Sequence, residues 1–263
     1  MNKPDKERRT WSRISILHAS KLGARSLLLI TAVVCYVLGT VFGHTDAVLG
    51  ALEDNWWFLI VIWVFFVAEM ILRFFPSRFE SMGCQKQFRR NFTPTEMHEP
   101  NLPSAKGTLI TFIVWIALNG AIAALYFTGV IDAGILIIIS LFYSVCDMIC
   151  ILFFCPFQTW FMKNKCCGSC RIYNWDYAMM FTPLVLIIHP YTQSLFTIAL
   201  LLVVVWEVTL RLCPERFAEN TNASLACANC KEKLCHHKTQ LRGYLTKNRE
   251  LMKKYLKERE RKK

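Results

Sequence analysis

The apolar residues of the chain fall into blocks separated by short polar stretches. A transmembrane helix needs about 20 mostly apolar residues. Five blocks meet that requirement: residues 26–41 (reaching toward Gly43), 56–75, 109–130, 135–155 and 195–212. A further segment, residues 173–188, is short and contains Pro183. It is read as a span because otherwise the C-terminal cysteines would lie opposite the others. Proline is tolerated within a membrane helix when neighbours satisfy the freed carbonyl. The pattern predicts an all-α integral membrane protein of six transmembrane helices, paired through short loops into three helical hairpins.

The expected organisation is a basic leader (1–25), hairpin one (26–76), a loop (77–107), hairpin two (108–156), a cysteine-rich loop (157–172), hairpin three (173–214) and a tail (215–263). Composition agrees. The 263 residues are 54% hydrophobic with a mean hydropathy of +0.31, against about 45–50% apolar in a soluble domain. No cleavable signal sequence is expected, because a long basic leader precedes a full-length apolar block.

Charge sets the expected orientation. The net charge is +12, and Lys and Arg cluster in the leader, in the loops after spans two and four, and in the tail. The opposite loops hold no Lys or Arg and carry Asp46, Glu53, Asp54 and Asp132. By the positive-inside rule both termini are cytoplasmic, in a plasma (cell inner) membrane. Asn91-Phe-Thr93 and Asn222-Ala-Ser224 match glycosylation sequons, which a cytoplasmic location leaves unused.

The inner ends of hairpins one and three share the pattern E-x3-R-x2-P-x-R-F, from Glu69 and Arg73 to Phe79 and from Glu207 and Arg211 to Phe217. Hairpin two keeps only Phe154-Cys155-Pro156. Two strong copies and one degenerate copy suit a pseudo-threefold internal repeat. Glu and Arg at i and i+4 share a helix face, so Glu69–Arg73 and Glu207–Arg211 are expected as interfacial ion pairs. The segment from Phe66 to Arg73 also resembles the second helix of voltage-sensor domains. No span carries the arginines at every third position that such sensors need, so the match is taken as an ion pair.

Candidate chemistry lies mainly in the cysteines. Cys84, Cys166, Cys167, Cys170, Cys227, Cys230 and Cys235 all fall on the expected cytoplasmic side, with His236 and His237 directly after the last. Thiols stay reduced there, so CxxC spacing suggests metal ligation more than disulfides. Cys227-x2-Cys230-x4-Cys235-His236 offers three thiolates and an imidazole, a tetrahedral zinc set. Cys167 and Cys170 with Cys227 and Cys230 form a competing set across two loops, and Cys166 and His237 are further candidates. Zinc is preferred; an iron–sulfur cluster is the alternative, although its specific spacings are absent. The set is reminiscent of the cysteine-rich domain of membrane protein acyltransferases, but their Asp-His-His-Cys motif is missing.

Asp147 lies well inside the fourth span and Asn119 inside the third, at similar depth and able to meet across the hairpin. A membrane-embedded carboxylate is a candidate for proton or cation binding. Residues 241–259 read as a basic amphipathic helix suited to anionic lipid headgroups or an acidic cytoplasmic protein partner; homo-oligomers are compatible, and nucleic acid is the weaker fit. No catalytic constellation stands out, so an enzyme is not expected. The leading expectation is a non-enzymatic platform stapled by metal, which binds a partner, senses or organises an assembly. A redox protein with an iron–sulfur centre and a small transporter or channel using Asp147 are the rivals.

Overall fold

A computed structural model describes residues 13–41, 56–76, 82–102, 105–162, 170–226 and 229. Among them the protein is helical, and its only extended pairing is an isolated antiparallel bridge between Pro94 and Asn222. The principal helices are α1 (Arg13–Val41), α2 (Trp56–Ile71), α3 (Met82–Gln87), α4 (Ala105–Phe127), α5 (Ala133–Leu152), α6 (Asp176–Phe181) and α7 (Pro190–Leu212). Four of them, α1, α4, α5 and α7, are long and apolar enough to cross a membrane; α2 is a shorter apolar helix. Their outward faces expose Leu27, Ile30, Val41, Ile113, Leu201 and Val204. Such continuous apolar surface marks a protein solvated by lipid.

Local chemistry sets several boundaries. At the end of α4, Gly129 takes a φ of 74°. Val130 N donates to Leu125 O and Gly129 N to Tyr126 O, the paired bonds of a left-handed glycine cap. Asp132 then opens α5 by accepting from Ile135 N at 2.9 Å. Helix α2 stops at Ile71, and residues 72–75 form turns rather than continuing the expected span. Helix α1 begins 13 residues before its apolar block. At 1.5 Å per residue it is about 43 Å long, against about 30 Å of hydrocarbon. Residues 13–25, expected as part of a leader, are therefore helical.

The centre of the bundle is the segment expected as the short fifth span. It is a broken helix: a 3₁₀ stretch Arg171–Trp175, then α6, then a second 3₁₀ stretch Thr182–Leu186 containing Pro183. It packs against α5 and α7. Tyr177, Met180, Phe181 and Leu184 are buried there with Leu195, Leu202 and Trp206 of α7 and Phe66 and Met70 of α2. The carbonyls around the break are met by neighbours. Ser140 of α5 donates to Met180 O (2.9 Å), and Thr182 donates to Ala178 O (2.7 Å) while accepting from Trp115 of α4 (3.2 Å). Thr192 and Gln193 of α7 serve Ile187 O.

At the end where α1 starts and α7 finishes, the segments after α2 and α7 lock together. Asn222 is fully buried. Its amide donates to Lys86 O (3.0 Å) and Arg216 O (2.8 Å), while its oxygen accepts from Ser224 N (3.1 Å). Thr93 and Ser224 hydroxyls lie 3.1 Å apart. The residues of both sequon patterns thus build an internal latch, and Asn222 has no surface to offer a glycan.

Candidate functional site: a buried charge cluster

Helix α1 carries His18, Lys21 and Arg25 at spacings of three and four, which places them along one face. That face turns inward at the lower half of the bundle. Arg25 is only 1% exposed. Its Nη2 donates to Glu69 of α2 at 2.6 Å, and its Nη1 donates to Asp147 of α5 at 3.2 Å and to Ser144 O at 3.2 Å. Lys21 reaches the other oxygen of Glu69 at 3.0 Å. The guanidinium also lies over Phe66 (5.5 Å) and beside Tyr177 (5.9 Å).

A second pair continues the array. Arg73, in the turn after α2, donates to Asp176 at 2.7 Å and lies over the rings of Tyr177 (4.6 Å) and Tyr173 (5.2 Å). The Tyr177 hydroxyl donates to Glu69 at 2.9 Å, so the two pairs share one buried network. Lys21, Arg25 and Arg73 face Glu69, Asp147 and Asp176: three positive charges against three negative. Balance of this kind is what lets ionised groups persist out of water, since one unpaired ion would cost several kcal/mol. Several buried polar atoms nonetheless have no hydrogen-bond partner among the described residues: both ring nitrogens of His18, Arg25 Nε, Ser144 Oγ and Asp176 Oδ2. Buried polar groups are paired in the great majority of cases, so a concentration of exceptions calls for a functional reading.

The expected i, i+4 ion pairs are not the ones formed. Glu69 turns to α1 and Tyr177, and Arg73 turns to Asp176. The reason is that α2 ends at Ile71, so Arg73 has left the helix face that Glu69 occupies. Glu207 is held by Arg171 at 2.7 Å and by Trp175 Nε1 at 2.9 Å, both from the central segment, rather than by Arg211. Asn119 and Asp147 do not bond to each other either. Asn119 donates to Trp115 O of its own helix at 3.0 Å, and Asp147 is taken by Arg25.

Of the candidate metal ligands, Cys166, Cys167, Cys227, Cys230, Cys235, His236 and His237 lie outside the described residues. Cys170 is described, and it is buried beside Met148, Met162 and Tyr173. No cluster of three metal-ligating side chains occurs among the described residues. The members that sequence reasoning missed are His18, Lys21, Arg25, Asp176 and Tyr177. The regular spacing of the first three was the available sign. Compared with known protein families, curated proteins and solved structures, the chain matches none.

Proposed function

We propose that the protein is a six-span membrane transporter in which the charge cluster binds the coupling cation, a proton being the simplest. The observation that carries this reading is the position of Arg25 between Glu69 and Asp147, on three different helices and out of contact with solvent. In sequence, Asp147 is a lone acid; in the fold it has a cation, a second acid and a histidine for company. A cation that takes Asp147 releases Arg25 to Glu69 alone and loosens α1 from α5. Binding is thereby tied to helix movement, which is what coupling requires. The unpartnered His18, Ser144 and Asp176 atoms give a proton further stations within the same cluster.

Six crossings are compatible with the dimensions. At about 2.0 Å per 3₁₀ residue and 1.5 Å per α residue, the broken helix Arg171–Leu186 reaches about 29 Å, close to the hydrocarbon thickness of about 30 Å. The positive-inside pattern supports cytoplasmic termini and a plasma membrane location. The test is proton flux in proteoliposomes loaded with a pH-sensitive dye and given a pH gradient with a potassium diffusion potential. Wild-type protein speeds acidification, and Asp147→Asn, nearly isosteric, abolishes the effect. Equal flux in the variant removes Asp147 from the mechanism, and flux no faster than in empty liposomes removes the transport reading.

A second reading has its own support. Helix α3, which carries Cys84, packs against both the turn that follows Cys170 and the turn Ala223–Leu225 that precedes Cys227. Described residues that adjoin several of the cysteines therefore pack together at one end of the bundle. This favours Cys166, Cys167, Cys170, Cys227, Cys230, Cys235, His236 and His237 as a zinc site, or an iron–sulfur site, which steadies a cytoplasmic platform for a protein partner or anionic lipid. Elemental analysis and a visible spectrum of anaerobically purified protein distinguish the two metals and, if both are absent, dismiss the site.

A further inference from the structure

The charge cluster stops at Phe66. On the other side of that ring lies a partly open cavity of about 390 Å³, bordered by α1, α2, α5, the end of the broken helix and the first turns of α7. Phe66 belongs to both: it lines the cavity, and the Arg25 guanidinium lies 5.5 Å from its ring centre. Phe66 also meets Phe181 edge to face at 5.4 Å, so two rings form the floor. The walls are aliphatic and aromatic, with Phe58, Ile62, Ile137 and Leu195 among them. Tyr36, Asp132 and His189 lie at the far end, and the hydroxyl of Ser140, which also lines the cavity, is spent on Met180 O.

Among the described residues of that lining, Asp132 carries the only carboxylate and no Lys or Arg occurs. One of its oxygens caps α5, and the other accepts from the Tyr36 hydroxyl at 2.9 Å. A carboxylate offers about four acceptor sites, so capacity remains for another partner. His189 caps α7 by accepting from Tyr191 N through Nδ1. The positive ends of α5 and α7 also point here, worth about half a charge each, but both are capped. The described lining therefore carries one formal negative charge.

We propose that the cavity binds a lipophilic organic cation, its apolar body among the aromatic and aliphatic walls and its charge at Asp132 and Tyr36. Aromatic faces attract cations and apolar surface alike. An organic anion would meet the Asp132 carboxylate, and a neutral hydrocarbon would leave its spare acceptor capacity unused. The inference names a substrate class for the transport reading and rests on that reading only for movement, since binding itself needs no ion gradient.

The test is equilibrium binding of tetraphenylphosphonium to the purified full-length protein in detergent. Triphenylphosphine oxide serves as the neutral comparison. Micromolar binding is expected, with the oxide weaker by about tenfold or more, as for loss of one charge contact. Asp132→Asn should weaken tetraphenylphosphonium by a similar factor without unfolding the protein, because Asn caps a helix as well as Asp. Ala32→Trp, filling the cavity from α1, should abolish binding, with gel filtration confirming the fold. Equal affinity for the neutral oxide, or unchanged affinity in Asp132→Asn, overturns the cation assignment. No displaceable binding to the wild type overturns the site. Intact binding without proton flux counts against the transport reading alone.

Discussion

Replacing Glu69 by Gln keeps its shape and removes its charge. Glu69 is 5% exposed, accepts from Arg25 and Tyr177, and forms an ion pair with Lys21. Without it, three cations face two carboxylates, and Asp147, at the longer distance, is the carboxylate left to Arg25. Breaking a buried pair by removing one partner costs about 3–5 kcal/mol, whereas an exposed interfacial pair, as the i, i+4 reading of Glu69 and Arg73 implies, is worth about 0–1 kcal/mol. The two pictures therefore differ by a measurable amount. Reversible unfolding in mixed micelles, followed by tryptophan fluorescence, reads it. The companion variant is Glu69→Met with Arg25→Met, which leaves Lys21 and Arg73 against Asp147 and Asp176, two charges of each sign. Apolar replacement of a whole buried pair is often neutral, so the double variant should recover most of the loss, with a coupling of about 2–3 kcal/mol. A cost under about 1 kcal/mol for Glu69→Gln, with additive single effects, would refute the buried cluster.

Further outcomes follow from other contacts. A Cβ on Gly107 would lie 2.6 Å from Phe161 O, a backbone atom of the π-helical turn Phe157–Phe161; Gly107→Ala should cost about 1–3 kcal/mol by overpacking in the same assay. Asn222→Asp replaces an amide that donates to two carbonyls with a carboxylate that repels them. Limited proteolysis should then cut within residues 92–102 while the apolar helices stay inserted. Cys227→Ser with Cys230→Ser should lower bound metal per protein, and full retention of metal would remove that pair from the ligand set.

The helices were legible in the sequence because lipid demands long apolar runs and leaves little freedom in how they fold. In the Pro183 segment, Ser140 and Thr182 hydroxyls serve the Met180 and Ala178 carbonyls beside the break. The charge cluster was not legible, for a physical reason. Lys21 and Arg25 sit just before an apolar block, where basic residues ordinarily anchor a helix at the interface, and only the extension of α1 back to Arg13 turns their face inward. Their partners are also remote: Glu69 is 44 residues from Arg25, and Asp147 is 122. Spacing within one helix could suggest Glu69 with Arg73, but it could not show that α2 ends between them. The cysteine-rich segments stand as in the sequence, since most of their ligands lie outside the described residues.

The central claim is that Asp147, on taking a cation inside the bundle, gives up Arg25 to Glu69. Charge displacement on a solid-supported membrane tests it without knowledge of the transported solute. After a rapid pH jump, wild-type proteoliposomes should give a transient current as protons enter the cluster, and Asp147→Asn should give none while inserting to the same level. A wild-type trace identical to that of empty liposomes, or a current undiminished in Asp147→Asn, would contradict the account.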